Sequence, residues 1–306
     1  MFNREEKLFY KTIEQIFSIE YDKRAKSEKN IRNWLEETYG SIIEASSKFS
    51  IQEENPTNIR EYCLFLIRIC CEKKYLKNWN QLELKKKDDI KSNCLILLGD
   101  PKEEIRRQSI NTLTEIFKIC LENDPWKNLI EILCEACKTN NKIYQISGIR
   151  AISCILKEIS AEYFSEKEKT IIEEVILSLL NISKDDELTF ETLKAFDNFL
   201  PILSKKFNNI AFVAKNITLL TNILSRNSKE KIGIIKCAIL QINKVVISAY
   251  EISDKFIRKL SDYIIDIAIN SNESILIQAL EFFIDLSSDE ISRKEKNIFL
   301  LNYKIK

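Results

Sequence analysis

Apolar residues recur at i, i+3, i+4 and i+7 along nearly the whole chain, in helix-length blocks separated by short polar turns. The stretch from Asp100 to Ser160 carries the pattern most clearly: DPKEEIRRQSINTLTEIFKICLEN, then DPWKNLIEILCEACKTN, then NKIYQISGIRAISCILKEIS. Read as pairs, the blocks predict antiparallel helical hairpins at about 4–18 and 22–38, 40–50 and 57–76, 82–98 and 102–122, 125–138 and 141–159, 165–181 and 186–205, 209–225 and 229–250, and 253–270 and 273–287. The tail from Asp289 to Lys306 reads as the opening of an eighth pair. One hairpin cannot bury its own apolar stripe, so copies must stack on one another.

Local signals set the expected boundaries. Gly40 is expected to close the first pair, Asn55 to cap the helix that follows Pro56, and Asp100 to cap a helix with Pro101 in its first turn. Asp124-Pro125 repeats that start signal, and Pro201 is expected to kink or end its helix. Asp100, Asn141, Asp185, Ser228 and Ser271 precede successive second helices at a spacing of roughly 41–44 residues. That period is the one HEAT-type repeats use, so the expected fold is an all-α HEAT-repeat superhelix, an armadillo-like solenoid. No linker interrupts it, and residues 1–306 are expected to form one solenoid.

Composition agrees with helices and narrows the partners. Four Gly and four Pro in 306 residues leave few turn residues for hairpins or phosphate loops. The formal net charge of +1, with both signs interspersed, argues against a strongly basic nucleic-acid binder. No apolar run reaches the ~18 residues a membrane span needs, and the charged N-terminus lacks a signal peptide's apolar block. A cytosolic or nuclear setting follows, and with it nine reduced cysteines, most on apolar stripes.

The inventory for chemistry is thin. There is no His, which removes the common nucleophile triads, proton shuttles and most metal sites. No glycine-rich phosphate motif occurs. Cys134 and Cys137 form a C-x-x-C, but no second ligand pair accompanies it, and both share a stripe with Leu129, Ile130 and Leu133. They read as core. Lys85-Lys86-Lys87 reads as a solvated helix face, and Trp34, Trp79 and Trp126 as packing between repeats. Neither an enzyme nor a cofactor is expected.

Four segments in order carry a resemblance. They are NPTNIREYCLFLIRICCEKKYL with Ile59-Arg60 at its helix start; WNQLELKKKDDIKSNCLILLGD from Trp79; EEIRRQSINTLTEIFKICLENDPWKNLIEIL, with Trp126, Leu129, Ile130 and Leu133; and NESILIQALEFFIDLSSDEI, with Phe282-Phe283 where Phe-Trp is usual. Together they resemble the N-terminal HEAT repeats of the importin-β (karyopherin-β) family. The chain departs from that family in being near neutral rather than acidic. It also stops within what would be repeat eight, without the acidic loop or the C-terminal arch, as a fragment or a reduced relative would.

The resemblance implies a nuclear transport receptor that moves between cytoplasm and nucleus through the pores of the nuclear envelope, as a monomer. The second helices of the hairpins, about 1–160, would bind Ran-GTP on the concave face, with Arg60, Arg68, Arg106 and Asn111 as implied contacts. The first helices, about 161–250, would take Phe-Gly nucleoporins on the convex face, with Ile176, Leu180, Ile217 and Leu220 as implied contacts. Cargo would bind directly or through importin-α. A HEAT scaffold or adaptor subunit outside transport is the alternative; the Trp79 and Trp126 segments favour the transport reading and the near-neutral charge the alternative.

Overall fold

The computed structural model describes residues 4–121, 123–227 and 230–304, leaving aside the side chains at 251, 254, 255 and 295–304. Fifteen α-helices follow one another: α1 (Arg4–Ile16), α2 (Tyr21–Glu37), α3 (Tyr39–Ser50), α4 (Thr57–Cys70), α5 (Leu76–Gln81), α6 (Leu84–Ile96), α7 (Glu103–Cys120), α8 (Leu129–Lys138), α9 (Lys142–Glu158), α10 (Glu166–Ile182), α11 (Asp186–Phe199), α12 (Ile210–Arg226), α13 (Ile232–Ser248), α14 (Tyr250–Ile269) and α15 (Glu273–Lys304). No strand occurs among the described residues, and the fold is an all-α HEAT-type solenoid.

The helices group into two compact units, Met1–Tyr163 and Phe164–Lys306. In the first, α3/α4, α6/α7 and α8/α9 are hairpins, and α4, α7 and α9 form one layer, with α7 packed against both α4 and α9. In the second, α10/α11, α12/α13 and α14/α15 are hairpins. There α11, α13 and α15 form one layer and α10, α12 and α14 the other. The buried stripes are those the periodicity marks. α4 packs on α7, and Cys63, Leu64, Leu66 and Ile67 of the first and Ile105, Leu113 and Ile116 of the second are all closed to solvent.

Within each unit, polar side chains tie neighbouring repeats together. Thr112 Oγ1 donates to Leu64 O at 3.2 Å across 48 residues, and Asn93 Nδ2 to Ser47 Oγ at 3.0 Å across 46. In the second unit Lys231 bonds Asp186 across 45 residues, Lys244 bonds Asp197 across 47, and Gln241 donates to Leu193 O across 48. Asn243 donates to Asp285 at 2.7 Å across 42. Every one of these spans is close to one repeat length.

Several helix starts match the expected caps. Asn141 Oδ1 accepts the Ile143 N–H and Asp185 Oδ1 the Leu188 N–H. Ser165 and Glu168 close a full capping box on α10. Pro201 ends α11 at Phe199, and the chain continues as 3-10 turns over Leu200–Asn208. Ser228 lies outside the described residues. Ser271 lies two residues before α15, whose cap is Asn272, with Asn272 Oδ1 accepting the Ile275 N–H.

Other boundaries differ for identifiable reasons. Gly40 lies inside α3, because α2 already closes at Thr38, whose N–H and hydroxyl both donate to Trp34 O. Asn55 does not cap α4; its amide turns inward and donates to Phe49 O and Gln52 Oε1, leaving Pro56 at the cap position. The helix expected over 57–76 stops at Cys70, whose carbonyl accepts the buried Tyr39 hydroxyl at 2.8 Å. Asp100 is not a cap either: it is buried against Arg60, and α7 begins three residues later. Asp124 is drawn toward Lys87 and Lys91, each at 3.9 Å, and α8 begins only at Leu129. The tail is no new hairpin, for α15 runs through to Lys304.

Seven cysteines are buried and Cys154 and Cys237 are half-buried; all nine are free thiols. Cys134 and Cys137 face α9 where Gly148 permits close approach: a Cβ at Gly148 would stand 3.0 Å from Cys137 Sγ and from Leu133 O. No cluster of metal-ligating side chains occurs among the described residues. Burial lifts the Cys94 thiol to about 12 and the Cys237 thiol to about 11, from an ordinary 9.0. A folded pKa above the unfolded one means stability is intact below pH 9 and is lost as the unfolded chain ionises first. Thermal melts should therefore fall progressively between pH 9 and 12. A midpoint flat across that range would contradict the burial of these thiols.

Candidate functional site

The second helices of the first unit leave a groove of about 420 Å³. Phe65, Arg68, Ile69 and Glu72 come from α4 and the residues just after it, Asn111, Thr114 and Glu115 from α7, and Cys154, Lys157 and Glu158 from α9. Each helix contributes residues three and four apart, the spacing that keeps side chains on one helix face. The opposite face of each helix holds the core, so the groove follows from the same periodicity.

Its charges are mixed. Arg68 donates to Gln108 Oε1 at 3.2 Å and lies over the Phe65 ring, 5.6 Å from the centroid. Lys118 joins Glu115 at 3.0 Å and Glu158 at 3.7 Å, which bridges α7 to α9. The lining thus offers a guanidinium on an aromatic ring, an amide and three carboxylates. Such a surface suits a folded protein partner with its own mixed charges.

Of the four expected contacts on this face, Arg68 and Asn111 come together in the groove. Arg106 is half-buried and is committed to the turn before α7, donating to Asp100 O at 2.8 Å and Pro101 O at 3.0 Å. Arg60 is not a surface contact. It is 3% exposed, donating to Ser50 O at 2.8 Å and to the Asp100 carboxylate. A partner cannot reach it. Lys87 is also not solvated, being buried beside Asp124, while Lys86 pairs with Glu44 at 2.9 Å. Trp79 and Trp126 are both buried, and Lys91 lies over the Trp126 ring.

The first helices of the second unit form a groove of about 650 Å³ between α10 and α12. Leu177, Ile182 and Leu219 give it apolar surface, with Ser178, Asn181, Thr218 and Asn222 around them. Lys206 pairs with Glu173 at its rim. An adjoining groove of about 360 Å³ between α12 and α14 is lined by Ile217, Thr221, Ser225, Phe256, Leu260 and Tyr263.

Here the expected residues shift by about one position. Ile176, Leu180 and Leu220 are fully buried and line neither groove, whereas Ile217 reaches only the second. One residue is a rotation of about 100° on a helix. Leu177 and Leu219 therefore face outward while their neighbours seal the core. Sequence reading missed Phe65 as well, because it stands in the unbroken apolar run Cys63–Ile67, where no polar neighbour marks the outer face.

No protein-family model matches the chain, and no curated protein matches it. Solved structures do. Yeast importin-β, Kap95p, is 15% identical with a TM-score of 0.85, covering 97% of this chain and 36% of that one. Kap95p in a study of its binding to RanGDP matches at 15% identity and a TM-score of 0.80, over 95% of this chain and 34% of that one. Kap121p bound to RanGTP matches at 14% identity and a TM-score of 0.69, over 94% and 27%. The chain spans about a third of the length of the Kap95p structures it matches. At these identities the likeness is one of fold.

Proposed function

We propose that this chain is a transport-receptor solenoid of the importin-β kind. In this reading it binds the GTP form of Ran in the groove of α4, α7 and α9, with Arg68 and Asn111 as contacts. It binds Phe-Gly segments of nucleoporins in the α10/α12 groove, where Leu177 and Leu219 receive the aromatic ring. Cargo, bound directly or through importin-α, then moves between cytoplasm and nucleus. The observation that carries the reading is the match over 94–97% of the chain to proteins of this fold, two of them solved in connection with Ran. Shallow apolar grooves between stacked helices suit weak insertion of single aromatic side chains. Stacked hairpins can also accumulate small rotations, which would couple one groove to cargo affinity.

The test is binding of the purified chain to Ran loaded with GTP or GDP. Binding selective for GTP is expected, and Arg68→Glu should weaken it by about 10-fold or more through charge reversal in the groove. Leu177→Asp should leave Ran binding intact and reduce retention on immobilised Phe-Gly repeats. Equal affinity for both nucleotide states, or none, would overturn the transport reading. It would leave a helical scaffold, which the net charge of +1 also accommodates.

A further inference from the structure

The core-facing side of α6 carries two cations. Lys87 and Lys91 stand one helical turn apart beside Ile90 and Cys94, and each is 7% exposed. Their ammoniums converge on Asp124, in the turn between α7 and α8. Each Nζ is 3.9 Å from the same carboxylate oxygen, Oδ2. That is beyond hydrogen-bond range, and Oδ2 is a buried oxygen that accepts no hydrogen bond. Each ammonium has three N–H donors, and no hydrogen bond from either is found among the described residues.

Two indoles border the cluster. Trp79 is closed to solvent, and its N–H has no hydrogen-bond acceptor among the described residues. The Cys120 thiol beside it lies within electrostatic reach of Lys91, Asp124 and Lys87. The Trp126 ring lies 5.4 Å from Lys91 Nζ and offsets part of its charge through a cation–π contact. The cluster is therefore rich in donors and short of acceptors. Two ammoniums against one carboxylate leave one positive charge unmatched, and burial makes an unmatched charge costly. The Asp124 side chain is 39% exposed, so the cluster meets solvent on that side.

We propose that Lys87 and Lys91 bind a small inorganic oxyanion of the phosphate class, which accepts hydrogen bonds from both ammoniums at once. Separate oxygens of one tetrahedral ion give each ammonium its own acceptor, which one carboxylate oxygen equidistant from both does not. The ion also supplies the negative charge that the pair of lysines lacks. The depth of the ammoniums selects a free ion over an acidic group fixed on a folded partner. Asp124 opposes the ion by like charge, so affinity is a balance between two attracting groups and one repelling group. None of these residues lines the groove assigned to Ran, so this site and the transport reading can each fail alone.

Phosphorus NMR of inorganic phosphate, titrated with the intact chain at fixed ionic strength, tests it. Saturable broadening with one ion per chain is expected. Lys87→Met and Lys91→Met should each weaken binding by about 10-fold or more, and Asp124→Asn should strengthen it by a similar factor because the opposing charge is gone. Each lysine variant leaves the other ammonium matched one to one with Asp124, so folding is not at stake. Lys86→Met, which removes only an exposed partner of Glu44, should change nothing. Thermal melts give a second readout. The midpoint should rise with phosphate in the parent and much less in Lys91→Met, which separates site binding from general salt effects on the surface. Broadening that grows without saturation, the mark of general ion association, overturns the proposal. So does an affinity indifferent to Lys91→Met or weakened by Asp124→Asn.

Discussion

Replacing Asp100 by Ala is expected to destabilise the first unit by about 3–5 kcal/mol, the cost of leaving one member of a buried ion pair uncompensated. Both members are 3% exposed. The Arg60 guanidinium also donates to Ser50 O, and the other carboxylate oxygen accepts the Lys102 N–H at 2.9 Å. The pair therefore joins the end of α3, the start of α4 and the turn before α7. Arg60→Ala should cost a similar amount, since it strands the carboxylate instead. The double variant Arg60→Met/Asp100→Leu should recover most of the loss, because two apolar groups leave no buried charge behind. Urea unfolding followed by circular dichroism reads all three. Single variants within about 0.5 kcal/mol of the parent, the range of ordinary surface changes, would mean that the pair is not buried in solution.

Trp79→Ala is the second large effect. The indole is completely closed to solvent on the short helix α5 and lies against the Cys120 thiol of α7. Truncating a buried Trp costs about 3–5 kcal/mol, the lost transfer energy plus the cavity left behind. For a unit of this size the midpoint should fall on the order of 10 °C. Trp79→Phe, which keeps most of the volume, should fall much less. Equal midpoints for Trp79→Ala and the parent would show that the site collapses without cost, and would remove Trp79 as a core residue.

What could be read from sequence divides along a physical line. Helix existence was legible because periodicity is a property of the chain itself. The capping oxygens of Asn141 and Asp185 were legible because each bonds a backbone N–H two or three residues on. Asp100 and Asp124 carry the same local signal and do something else, because buried lysine and arginine from neighbouring helices compete for them. Nothing in the local pattern announces that competition. The same limit governs the grooves. Arg68 and Asn111 came from the family resemblance and not from the local pattern, since Arg68 stands in the apolar run Leu66–Cys70. The choice between Ile176 and Leu177, or Leu219 and Leu220, rests on which neighbouring helix arrives and at what angle. That is information held by the fold and not by the segment. Arg60 shows the hazard most plainly, since a helix-start arginine looks solvated until its counter-ion is found 40 residues away.

The ties from one repeat to the next carry a consequence for how such a chain can change length. Nearly every polar bond that joins neighbouring hairpins links a residue to another between 40 and 48 positions along, from Arg68–Gln108 to Thr112–Leu64 and Gln241–Leu193. Inserting or deleting a few residues inside a helix would set the donors and acceptors of that helix beyond the change against the wrong partners in the adjoining hairpins, and rotate the rest of its apolar stripe out of the core. Adding or removing a whole hairpin would disturb a single junction. Growth and shrinkage are therefore quantised, and lineages of such proteins should differ by integer numbers of hairpins, with fractional changes confined to the turns.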